Sequence, residues 1–156
     1  MLLKIEKHSP ASKIMRFVAY LGLCAAYLQG GLVKLSDFPG AIAEMTHFGL
    51  TPPPLFAVLV IVFEIVASVM ILTGFLRWLA ALALGGFTLL ATLIALRFWE
   101  MPAGHERFMA ANSFFEHLGL VGGFILIAWL DLTEKTSHTV KQNQRRWHDA
   151  DPTGHS

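Results

Sequence analysis

The chain has 156 residues, 54% of them apolar and only 15% charged, with a formal net charge of +1 and a mean hydropathy of +0.55. A soluble domain of this length leaves roughly a third of its unfolded-chain surface in water. The composition therefore excludes a disordered chain and argues against a soluble globule, the near-neutral charge gives no electrostatic case for nucleic acid, and the single cysteine, Cys24, excludes an intrachain disulfide or a CxxC pair.

The expected architecture is all-α: a polytopic membrane protein built as a four-transmembrane-helix bundle, with a short interfacial helix between spans one and two. Span one falls at about 14–34, and Gln29 is the strongly polar side chain in its apolar run. A basic lead (Lys4, Lys7, Lys13, Arg16) precedes it. The run is longer than a signal-peptide core and Gln29-Gly30-Gly31 gives no clear small-x-small cleavage pattern, so it reads as a retained span. Tyr20, Cys24, Tyr27, Gly31 and Lys34 share one stripe, which reads either as a packing face ending in an interfacial lysine or as a pocket wall made by the two phenols and Lys34. Beyond it, Ser36 or Asp37 suits a helix cap, Pro39 a first turn and Gly49 an end. Between them Phe38, Ala41, Ile42, Met45 and Phe48 recur at helical spacing, the pattern of an amphipathic helix in the membrane interface.

Thr51-Pro52-Pro53-Pro54 leads rigidly into span two, at about 54–74, whose apolar run is broken once, by Glu64. Ile61, Ala67 and Ser68 share a face with that carboxylate. A tight turn from Gly74 to Arg77 opens span three, at about 77–98, where Ala81, Gly85, Thr88, Thr92 and Ala95 form a small-residue stripe suited to close packing. Met101, Pro102 and Gly104 then break the chain. Residues 118–130 are too few to cross ~30 Å of hydrocarbon at ~1.5 Å per residue. Span four is therefore read as 109–130, which carries Glu116 and His117 into the bilayer. Trp78, Trp99 and Trp129 fall at span ends, as in an aromatic belt. Residues 1–132 form one membrane domain. Asp131 and Glu134 mark the exit into water, and 133–156 reads as a polar, flexible tail with scattered His138, His148 and His155.

Nine Lys and Arg lie on the side of the termini and the 74–77 turn, against Lys34, Arg97 and Arg107 on the other. The positive-inside rule then places both termini in the cytoplasm of a cell inner (plasma) membrane.

A charge near the bilayer centre costs at least ~2.5–3.5 kcal/mol on insertion scales. Glu64 sits near the middle of span two, Glu116 and His117 a few turns below the outward end of span four, and Gln29 nearly a turn below the outward end of span one. Lys34 and Arg97 close spans one and three on that same side, whereas the inward half is almost purely apolar between basic anchors. These positions predict a hydrated pocket between Glu64 and His117, with Gln29 and Lys34 at its rim, Glu116 and Arg97 nearby, and Glu64 handling the proton. Adjacent helical residues point about 100° apart, so Glu116 and His117 need not face the same way. The competing reading is a hydrogen-bonded cluster that only fixes helix packing. No HxxxH, CxxC, P-loop, GxGxxG or GxSxG is present, so no metal site and no self-sufficient catalytic motif is expected.

Five stretches in order resemble the DoxX family of small four-span membrane proteins. They are Gly30-Gly31-Leu32-Val33-Lys34-Leu35, Phe48-Gly49-Leu50-Thr51-Pro52-Pro53-Pro54, the span-two Glu64, Leu72-Thr73-Gly74 with Arg77, and Phe114-Phe115-Glu116-His117-Leu118-Gly119-Leu120-Val121-Gly122-Gly123. His117 departs from the pattern, standing where many relatives carry Asn. The resemblance implies the four-span fold and a link to quinone or oxidative-stress chemistry, as in relatives that resemble thiosulfate:quinone oxidoreductase subunits. It implies a quinone-like ligand rather than a covalently bound cofactor, and a membrane or peripheral redox protein partner. A homo-oligomer is a further expected assembly, and Glu64, His117 and Gln29 suit the ligand's carbonyls in type. The alternative class is a non-enzymatic scaffold or assembly partner for a redox or stress-response complex.

Overall fold

The computed structural model describes residues 10–150; Lys4, Lys7 and His155 lie outside the described residues. Five α-helices follow in order: α1 (Pro10–Ser36), α2 (Phe38–His47), α3 (Pro53–Thr73), α4 (Arg77–Ala95) and α5 (His105–Ala150), with a 3-10 turn at Phe98–Glu100. Among the described residues, four of these helices (α1, α3, α4 and α5) are long and apolar enough to cross a membrane. The 21 residues of α3 span about 31 Å at 1.5 Å per residue, the thickness of the hydrocarbon layer. Leu55, Val58, Leu59, Val62, Val66 and Val69 on α3 are each 46–52% exposed, an apolar outer stripe suited to a lipid environment.

The inner faces are small and close-fitting. Helix α1 packs on α3, α3 on α4 and α4 on α5, and α5 closes on α1 more loosely. The buried stripe of α1 is Tyr20, Cys24, Tyr27 and Gly31, and that of α4 includes Ala81, Gly85, Thr88 and Thr92. Gly31 faces Ile65: a Cβ there would stand 2.9 Å from Ile65 Cγ1, so glycine sets how near α1 and α3 approach. Without a hydrophobic drive between helices in lipid, such close approach supplies the packing energy.

Helix α2 lies over one end of the bundle. The Asp37 carboxylate accepts the Gly40 N–H at 3.1 Å, Pro39 occupies the first turn, and Gly49 takes φ +72° just past the end. Ala41 and Met45 are buried against Ala57 of α3, with Phe38 and Ile42 alongside, so the apolar stripe of α2 rests on α3. At the opposite end, Gly74 (φ 87°) and Leu76 (φ 45°) are both left-handed in the tight α3–α4 turn.

Two boundaries differ from the sequence reading. Helix α1 starts at Pro10, before the span proper. Helix α5 continues without a break through Ala150, so residues 133–150 extend the span-four helix where a flexible tail was expected. The reason is local: no Gly or Pro falls between 124 and 151, and Asp131 pairs with Lys135 at 2.8 Å one turn on. The hydroxyls of Thr133, Thr136, Ser137 and Thr139 also turn back to bond carbonyls four residues earlier.

Candidate functional site

A cavity of about 450 Å³ opens at the α2 end of the bundle, between α1, α3, α4 and α5. Its walls are mainly apolar, from Met45, Phe48, Phe56, Phe87 and Leu120, and small residues such as Gly30 and Ala91 leave the space. Three groups expected from sequence reach it: Lys34, Glu64 and His117.

Glu64 is 6% exposed. Lys34 Nζ lies 3.5 Å from Glu64 Oε1 and 3.9 Å from Glu44 Oε2 on α2. One lysine thus faces two carboxylates from two helices. Glu64 Oε2 is buried with no hydrogen-bond partner among the described residues. Burying a carboxylate oxygen without a donor is costly. Gly30 lies beside the pair: a Cβ there would stand at ordinary contact distance, 3.6 Å from Oε2 and 3.7 Å from Lys34 Nζ.

His117 is held by α4. Thr92 Oγ1 donates to the Thr88 carbonyl at 2.6 Å and lies 2.8 Å from His117 Nδ1. A hydroxyl has one proton, and here it goes to the carbonyl, which assigns the Nδ1–H as donor to Thr92. In the neutral ring Nε2 then carries the lone pair. The same logic applies one turn away. Thr88 Oγ1 donates to the Leu84 carbonyl at 2.6 Å, so the Tyr27 hydroxyl, 2.5 Å from Thr88 Oγ1, donates to it and presents its own oxygen as an acceptor. Tyr27 and Thr88, both lining the cavity, join α1 to α4 across the bundle.

Gln29, Glu116 and Arg97 do not reach the cavity. Gln29 and Glu116 are exposed on the outer faces of their helices, and Arg97 pairs at 3.1 Å with Glu100 in the exposed 3-10 turn. Sequence gave the depth of each group but not its rotation about the helix axis. In their place the cavity has Tyr27, which the sequence offered as either a packing or a pocket residue, Thr88, which it assigned to packing, and Glu44, which it passed over. The four-residue Thr88–Thr92 spacing opposite His117 was the available signal.

The terminal end is not the apolar half that sequence suggested. Asp131, expected to mark exit into water, is 6% exposed and lies 3.6 Å from Arg77 Nη1. The Arg77 Nε–H donates to the Ile71 carbonyl at 2.8 Å, and its guanidinium covers the Tyr20 ring at 4.9 Å. Arg16 forks onto Glu134 at 2.7 and 3.1 Å. The anchors of one helix are neutralised by acids of another.

Four membrane-crossing helices, an interfacial helix over one end and a polar-tipped cavity beneath it define a small polytopic membrane protein with an internal cavity at one end of its bundle. The chain belongs to the DoxX family, whose profile matches residues 16–97. That stretch contains Lys34, Glu64, Thr88 and Thr92 and stops before α5 and His117. The chain is 25% identical over 118 residues to the inner membrane protein YphA of Escherichia coli (strain K12), across 76% of this chain and 84% of that one. No solved structure matches it.

Proposed function

We propose that this protein binds a quinone-like redox molecule in the cavity at the α2 end and works as a membrane subunit beside a redox partner. The observation that carries the reading is a void of about 450 Å³ with Glu64 in its wall, a buried carboxylate whose Oε2 has no hydrogen-bond partner among the described residues. The volume lies within the range of about 300–1,000 Å³ usual for small-molecule sites. The aromatic and aliphatic walls suit a flat apolar ring. Lys34 supplies a cationic donor to one ring oxygen, Glu64 holds or releases a proton beside it, and His117 Nε2 faces a second polar position as acceptor when neutral and donor when charged. The sequence carries no electron-carrier motif, so electrons come from a membrane or peripheral protein. A non-enzymatic scaffold is the second reading, favoured by Lys34 drawing together α1, α2 and α3 through Glu44 and Glu64.

The test is equilibrium binding of decylubiquinone and a short-chain menaquinone to the purified protein in detergent. Saturable binding is expected, weakened by Glu64→Gln and abolished by Ala91→Phe, which fills the void while leaving every polar group in place. Absence of saturable binding, or unchanged binding in an Ala91→Phe variant that is normally folded, overturns the reading.

We further propose an inner (plasma) membrane location with both termini cytoplasmic. The name of the Escherichia coli relative and the excess of Lys and Arg at the terminal end support it. In a Cys24→Ser background, a cysteine placed after Ser156 is expected to resist an impermeant maleimide in whole cells. Its labelling there contradicts the orientation.

A further inference from the structure

A second cavity, of about 520 Å³, lies at the terminal end, far from the first. Its floor is apolar, from Phe17, Tyr20 and Leu72, and its wall carries Lys13, Arg16, Arg77 and Lys141 against one carboxylate among the described residues, that of Glu134. It opens where α5 closes loosely on α1.

The cations differ in how they are employed. Arg16 spends three of its five N–H donors on Glu134 and the Tyr20 hydroxyl. Arg77 is engaged by Asp131 and the Ile71 carbonyl. Lys13 and Lys141 are exposed and have no carboxylate within 4.0 Å among the described residues. The Arg16–Glu134 pair fixes a common level for α1 and α5. From it, Lys13 lies about 4.5 Å and Lys141 about 10 Å farther from the bilayer centre at 1.5 Å per residue. Lysine stems bend toward the membrane surface, and the headgroup layer is about 5–7 Å deep on each side. At these heights both lysine stems are long enough to bring their ammonium groups to phosphate level.

We infer that this cavity is a binding site for an anionic phospholipid, with the headgroup phosphate held by Lys13 and Lys141 and an acyl chain running down past Phe17 and Leu72. The apolar floor distinguishes a lipid from a free anion, and the two unneutralised lysines distinguish an anionic lipid from a zwitterionic one. The site is independent of the quinone reading and of membrane orientation.

The test is titration of the purified full chain in detergent with dioctanoyl phosphatidylglycerol, dioctanoyl phosphatidylcholine and inorganic phosphate. Phosphatidylglycerol is expected to bind about 30-fold more tightly than phosphatidylcholine, from roughly a fivefold gain per lysine near an anionic surface. Lys13→Gln with Lys141→Gln removes that preference while the lipid-free unfolding midpoint stays in place, because neither side chain is buried or paired. Equal affinity for the two lipids, or a preference that survives the double substitution, overturns the inference. Displacement of phosphatidylglycerol by inorganic phosphate at equal concentration also overturns it, in favour of a soluble-anion site.

Discussion

The Lys34 ammonium lies 3.5 Å from Oε1 of Glu64, joining the last turn of α1 to the middle of α3. Neither charge has much water: the side chains are 17% and 8% exposed. Attraction between two such groups is strong only because the surroundings are poor in solvent, and the same surroundings make either one costly alone.

Lys34→Met is therefore expected to destabilise the protein by about 3 kcal/mol, the scale for orphaning one member of a buried pair. Adding Glu64→Gln removes the orphaned charge and recovers most of the loss. Thermal unfolding of both variants in detergent checks this; an equal loss in the double variant contradicts it.

The Tyr27–Thr88 bond ties α1 to α4 at 2.5 Å. Hydrogen bonds between membrane helices contribute about 0.6 kcal/mol on average, because the separated helices also find partners. A double-mutant cycle of Tyr27→Phe and Thr88→Val should give a coupling of about that size, well below the effect of Lys34→Met. A coupling indistinguishable from zero would show that the two hydroxyls act separately.

At the terminal end, Asp131 has two cationic neighbours of unequal weight. Arg77 is 18% exposed in its side chain and also holds the Ile71 carbonyl; Lys135 is 50% exposed. Arg77→Ala should cost about 3 kcal/mol and Lys135→Ala under about 1 kcal/mol, although the lysine contact is the shorter one. Unfolding midpoints that rank the two variants the other way contradict this assignment.

Gly31→Leu drives a side chain into Ile65, where even a Cβ stands 2.9 Å from Cγ1. Overpacking of this kind costs about 1–3 kcal/mol. Pairing it with Ile65→Ala should restore part of the loss, since the conflict is between those two side chains. Membrane level and unfolding midpoint of the single and double variants measure it.

The spans, the interfacial helix and its cap were legible in the sequence because each rests on local signals: apolar run length, the Asp37 and Pro39 start, and the Gly49 end. Lys34, Glu64 and His117 were legible as groups too polar for their depth. What was not legible is rotation. Gln29 and Glu116 lie at suitable depths yet point away from the cavity, and no apolar periodicity reveals this in a span whose outer face is as apolar as its core. Thr88 and Thr92 were visible as a packing stripe of span three and Tyr27 as a packing or pocket residue of span one, but their hydrogen bonds depend on which helices become neighbours. For the same reason Asp131 and Glu134 looked like solvent markers until Arg77 and Arg16 were placed against them.

The central claim is that a flat, apolar redox molecule occupies the cavity beside Glu64. The most direct measurement is labelling of membranes with a photoreactive quinone analogue, followed by mapping of the modified residues. The account predicts labels on cavity-facing positions of α3, α4 and α5, such as Val60, Ala91 and Leu120, competed away by unlabelled quinone and lost in Ala91→Phe. Labels confined to the lipid-facing stripe of α3 at Val58, Val62 and Val66, or insensitive to competition, would contradict it.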